Sequence, residues 1–94
     1  MEDAGGIEFD WDDANQKHLA AHKVTSAECE YIMRNDPLDL ACQVIDGEER
    51  YRSVGVTSRG RLLTVVWTVR NEKVRVVTAF PVPRADRQAW RESR

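Results

Sequence analysis

The run from Arg61 to Val69, RLLTVVWTV, constrains the fold more than any other stretch of the chain. It is dense in β-branched and aromatic residues and apolar on both faces, with Val65 and Trp67 on one and Leu62 and Val66 on the other. A strand with two apolar faces is covered on both sides, which places it inside a sheet. Its neighbours supply the rest of that sheet. Leu40 to Ile45 reads as a strand that ends at Asp46-Gly47, a hairpin turn signal. Tyr51 to Thr57 is a second strand, turned by Ser58-Arg59-Gly60, and Arg70-Asn71-Glu72 turns the central run into Val74 to Phe80. Pro81 and Pro83 stop that last strand. Four consecutive strands joined by short turns make an antiparallel meander.

Helical signals lie at the two ends. Gly6 to Trp11 (GIEFDW) alternates apolar with acidic residues and reads as a short, half-buried strand. Asp12 is a helix N-cap residue, and the first helix is predicted over Asp13 to His22. Thr25 and Glu28 have capping-box spacing, and Val24 and Cys29 hold the two staple positions around them. Cys29, Ile32 and Met33 form the apolar stripe of a second helix, which Asn35-Asp36-Pro37 ends. Arg84 to Arg91 reads as a short basic helix anchored by Trp90. The expected fold is α+β: a small antiparallel sheet (a four-stranded meander plus a short N-terminal strand) with two N-terminal helices and a short C-terminal helix. At 94 residues, residues 1–94 form a single domain, with 1–6 expected to be flexible.

Charge is unevenly distributed. Residues 1–47 carry three basic and eleven acidic groups, a net of −8, and residues 48–94 carry eleven basic and five acidic groups, a net of +6. Ten of the eleven late basic residues are arginine, the side chain suited to bidentate phosphate contacts. That half suits a polyanion or an acidic partner, or pairing with the acidic half. Cys29 and Cys42 fit no metal or redox spacing and are expected as two buried free thiols. No apolar run approaches the roughly 20 residues of a membrane span. The start, MEDAGG, has neither a basic nor an apolar leader region, so a cytoplasmic chain is expected.

The only histidines, His18 and His22, are four residues apart on the first helix, in one stripe with Asn15. A helical H-x-x-x-H can clip zinc, but metalloproteases place Glu after the first His, and here that residue is Leu19. No third ligand follows at useful spacing, so neither a metal nor a cofactor is expected. Ser58-Arg59-Gly60 lacks the length and the lysine of a phosphate-binding loop, and Cys29 sits on an apolar stripe where thiols are inert. Two readings of the histidines stay open: proton-transfer groups near neutral pH, or surface side chains of a helix. Trp67 and Trp90 are expected in the core, Tyr51 in the core or against a base, and Arg52 and Arg59 as plain surface charges.

Three segments resemble the BrnT toxin family. FDWDDANQKHLAAHKVTSAECE resembles its opening, where a Trp-Asp pair leads a helix ending in His, then a Val and a capped acidic helix. DGEERYRSVGVTSRGRLLTVVWT resembles its G-E-x-R-aromatic strand, small-residue turn and R-L-L strand, and VRVVTAF…RADRQAW resembles its last strand and closing helix. The resemblance implies a RelE-like ribonuclease toxin of a type II toxin–antitoxin pair that cleaves RNA without a metal. It also implies a cognate antitoxin that covers it and carries the DNA-binding part. By matching positions, the implied site is His22 with Arg50, Arg61 and Arg75, and His18 stands as a further candidate. Departures from the family pattern are Ala21 for a basic residue, Lys23 for Gly, Phe80 for Arg and Asp86 for Glu. With the net acidity, Phe80 leaves a second reading: a non-cleaving module of the same fold that binds a protein or nucleic acid.

Overall fold

A computed structural model describes residues 6–94. Three helices, α1 (Asp13–Ala21), α2 (Ser26–Arg34) and α3 (Arg84–Glu92), accompany four strands, β1 (Leu38–Ile45), β2 (Glu48–Val56), β3 (Leu62–Arg70) and β4 (Lys73–Pro81). The sheet is a meander in the order β1-β2-β3-β4, with every pair antiparallel. The Arg61–Val69 run thus supplies an internal strand, as its two apolar faces require. The hairpins at Asp46-Gly47 and Asn71-Glu72 are two-residue turns with φ positive at both positions, the form that matches strand twist.

The predicted N-terminal strand shrinks to one parallel bridge, Phe9 to Val74. The Asp10 and Val74 amides donate to the Val74 and Glu8 carbonyls, and there the pairing stops because Asp12 opens α1. Of the expectation for residues 1–6, positions 1–5 lie outside the described residues.

Cross-strand partners share a face, so the register sorts the side chains. Ser53, Gly55, Leu63, Val65, Trp67 and Val76 face α1 and α2. There Leu19, Val24, Cys29 and Ile32 join Leu63, Val65, Val76 and Ala79 in the main core. The opposite face carries Arg50, Arg52, Val66, Thr68, Arg70, Arg75 and Phe80. α3 covers one end of that second face, where its buried Asp86 pairs with Arg52 at 3.4 Å. The rest of the second face is open.

Several side chains sit elsewhere than expected. Cys29 is buried but Cys42 is exposed on β1, an edge strand whose second half no helix covers. Arg52 is no plain surface charge, because it is held by Asp86. Trp67, by contrast, packs against the core as expected, with Tyr51 stacked on it at 4.5 Å. Trp90 is only half-buried, with the Arg94 guanidinium 3.7 Å over its ring. No helix among the described residues is long and apolar enough to cross a membrane.

α2 lies so close to β2 that a methyl group at Gly55 would collide with the Ile32 side chain. Gly55→Ala is expected to destabilise the fold by about 1–3 kcal/mol, the usual cost of overpacking, read as a lowered midpoint in thermal or urea unfolding.

Candidate active site

Helix α1 carries both histidines along the β4 edge. Asp12 caps it, accepting from the Asn15 amide at 3.1 Å, while the Asn15 side chain accepts from the Asp12 amide at 2.8 Å. Asn15 is buried and its Nδ2 donates to the Asp10 carbonyl at 2.9 Å, so the helix start is tied to the chain that leads into it. Leu19, fully buried, fixes the rotation of the helix. His18, one position earlier, then stands at the boundary with solvent.

The helix ends one residue before the prediction. His22 is its C-cap, and Lys23 follows in the left-handed region at φ 58°. The Lys23 amide donates to Ala20 O and the Val24 amide to Leu19 O, the paired bonds of a Schellman ending. Glycine is the favoured residue at that position, and here a lysine bears the strain.

β4 contains a bulge. Val66 pairs with Thr78 but Trp67 pairs with Val76, so Val77 is the extra residue. His18 Nδ1 lies 3.1 Å from the Val77 carbonyl. A carbonyl only accepts, so Nδ1 carries the proton, and in the neutral ring Nε2 is the free base.

A hollow of about 160 Å³ opens between α1 and the open face, lined by Asn15, His18, Glu48, Arg50, Arg70 and Arg75 among others. Thr68 and Arg75 are register partners, and Arg50 and Arg70 lie on the same face of β2 and β3. Each cation has a carboxylate beside it. Glu48 is 3.0 Å from Arg70 and 3.8 Å from Arg50, while Arg75 is 2.9 Å from Asp12 and 3.5 Å from Asp10. Only 14% of the Arg75 side chain is exposed, so its charge needs those partners.

The predicted set divides in two. His18, Arg50 and Arg75 share the hollow. His22 does not line it; its ring meets Phe80 edge-on, with centroids 5.9 Å apart. Arg61 is also elsewhere: it donates to Lys23 O at 2.7 Å and His22 O at 3.3 Å, and pairs with Glu28 at 3.5 Å. It neutralises the C-terminal end of α1, where exposed carbonyls favour a cation. Arg70 and Glu48 were missed because Arg70 reads as a turn residue. The two-residue hairpins held the signal: counting back from Asn71-Glu72 and forward from Asp46-Gly47 puts both on the face of Arg50.

Fold and hollow together define a class, a small α+β domain that gathers an imidazole and three guanidinium groups beside an open sheet face. The family model described as "Ribonuclease toxin, BrnT, of type II toxin-antitoxin system" matches residues 11–85. The chain belongs to that family, whose members are ribonuclease toxins; RNA as substrate and an antitoxin as partner follow from the membership. No curated protein matches the chain. The matched segment includes both histidines and every arginine of the hollow.

Removing the Arg61 fork leaves two carbonyls without a charged donor. Arg61→Ala is expected to cost about 1–2 kcal/mol in unfolding experiments. Arg61→Lys should recover only part, because an ammonium cannot fork to two acceptors in the same way.

The cap also makes stability sensitive to acid. The Asn15 amide first, and Arg75 after it, hold the Asp12 carboxyl below the usual carboxylate range. A depressed folded value means the contribution is complete above the unfolded pKa of about 3.9 and is lost as pH falls through the folded one. Thermal unfolding followed from about pH 5 downward should show a shallower acid decline for Asp12→Asn than for the unaltered chain.

Proposed function

We propose that the chain is a metal-independent endoribonuclease whose chemistry takes place at the hollow between α1 and the open sheet face. His18 is the proton-transfer residue, and Arg50, Arg70 and Arg75 hold the phosphate. One observation carries this reading: His18 shares a hollow of about 160 Å³ with three arginines while its Nδ1 is committed to Val77 O. In the neutral ring, Nε2 accepts the proton of an RNA 2′-hydroxyl. The resulting oxygen attacks the adjacent phosphorus, the bond to the 5′-oxygen breaks, and that oxygen takes up a proton from water. The products are a 2′,3′-cyclic phosphate and a 5′-hydroxyl end. Guanidinium groups stabilise the crowded phosphate, where charge builds up in the transition state.

This route calls for no metal, because an imidazole and several guanidinium groups supply both the proton transfer and the charge. His22, one turn further along α1, is the second proton-transfer candidate, and Arg61 serves it by holding its carbonyl. The cognate antitoxin covers the cationic face, and DNA is reached only through the antitoxin. The same reading assigns the chain to the cytoplasm, the compartment in which RNA and an antitoxin would meet it.

A specific observation favours a second reading, a module of the same fold that binds without cleaving. Glu48, Asp10 and Asp12 already pair with the three cations, so an entering phosphate has to displace or share those carboxylates.

Expressed without an antitoxin, the chain is expected to arrest growth, and His18→Ala should relieve the arrest. In a purified assay His18→Ala should lower the cleavage rate by on the order of 10²- to 10⁴-fold, and a chelator should leave the rate unchanged. Full activity in His18→Ala would overturn its assignment. An unaltered chain that neither cleaves RNA nor arrests cells would establish the binding module.

A further inference from the structure

A second hollow adjoins the first on the open face. It encloses about 230 Å³ and shares Arg50 with its neighbour. We infer that this second hollow is a nucleobase subsite that seats one base of the RNA against Phe80 and Val66 while the adjoining phosphate lies in the first. The inference rests on the nuclease reading for the identity of the ligand, and on separate observations for the site.

The first of these observations is shape and polarity. The lining combines the apolar surfaces of Phe80, Val66 and Ala41 with the polar ends of Gln43, Arg50 and Arg52. The register places these residues together, since Ala41 pairs with Arg52, Gln43 with Arg50, and Arg52 with Val66. An apolar floor with a polar margin fits a flat ring whose edge carries hydrogen-bonding atoms. At about 230 Å³ the hollow falls below the roughly 300–1,000 Å³ of drug-sized pockets, which suits one base and not two.

The second observation is unused hydrogen-bonding capacity. The Nε atoms of Arg50 and Arg52 are both buried and make no hydrogen bond among the described residues, although the Glu48 carboxylate lies 3.8 Å from the first and the Asp86 carboxylate 3.4 Å from the second. Buried donors are nearly always satisfied by a hydrogen bond, and two N–H groups held only at ion-pair distance beside one hollow can turn to an acceptor that arrives with the ligand. Base carbonyl and ring-nitrogen atoms are such acceptors, and arginine is their commonest side-chain partner.

The third is a platform already braced. Phe80 meets the His22 ring edge-on at 5.9 Å, which limits the rotation of the phenyl ring and leaves its surface to the hollow. Stacking on an aromatic side chain is worth about tenfold or more in affinity.

The test uses the full chain and a titration followed by amide NMR. The probes are uridine and guanosine 3′-monophosphates, ribose 5-phosphate and inorganic phosphate. The nucleotides should bind about tenfold or more tighter than ribose 5-phosphate. Only the nucleotides should shift the Gln43, Val66 and Phe80 signals. Phe80→Ala should abolish the difference and Phe80→Tyr should preserve it. Equal affinity for nucleotides and ribose 5-phosphate, or nucleotide shifts that bypass Gln43, Val66 and Phe80, would overturn the subsite, and the first comparison needs no variant. If base-dependent binding is present while His18→Ala still cleaves at full rate, the subsite stands and the catalytic assignment falls. If phosphate binds near Arg75 with no gain from the base, the subsite alone falls.

Discussion

The pairing of Arg75 with Asp10 and Asp12 is the constraint on which the site depends. Arg75 projects from β4 with most of its side chain out of water, and an unpaired guanidinium there would be costly. Asp12 is at once its partner and the N-cap of α1, and Asn15 links that cap to Asp10. One ionic contact therefore joins three pieces of chain: the segment entering the helix, the helix itself and the last strand. Because α1 is held at its start by this pairing and along its length by Leu19, the height of His18 over the sheet edge is set before any ligand enters.

The β4 bulge completes that placement. A regular edge strand presents its carbonyls at fixed intervals, whereas the extra residue Val77 offers one to His18. The same bond defines which imidazole nitrogen is free. An irregularity in the sheet thus orients the ring in a way that a regular ladder could not. The end of α1 shows a related economy, since Arg61 satisfies carbonyls that the helix leaves open and steadies the residue bearing the second imidazole.

The uneven charge of the two halves takes on structural meaning in the folded chain. Asp10 and Asp12 meet Arg75, Glu28 meets Arg61, and Asp36 meets Arg94, so much of the acidic half neutralises the basic half internally. What faces the open sheet is a set of cations each beside a carboxylate. Such a surface attracts a polyanion less strongly at long range than a bare basic patch does, and it selects ligands able to exchange with a carboxylate at short range. The apolar hollow beside it adds contact energy that charge alone would not supply.

Local structure was legible in the sequence because its causes are local. The two apolar faces of RLLTVVWTV, the Thr25–Glu28 capping box, the Asp46-Gly47 turn and the Asn35-Asp36-Pro37 stop are decided by residues within a few positions of one another. Each appears in the fold, with element ends moved by at most three residues. The N-terminal strand was over-read because an alternating hexapeptide cannot reveal that its partner, β4, engages it at a single residue. Cys42 looked like core because its strand pattern cannot show that no helix reaches that part of the sheet. Convergence was decided only by tertiary structure. Whether Arg50, Arg61, Arg70 and Arg75 meet depends on register across three strands, on one bulge and on the path of α1. For that reason Arg61 left the expected set and Arg70 joined the hollow. The linear sequence determined which chemical groups the molecule has and which strands and helices carry them; long-range pairing decided which of those groups stand together.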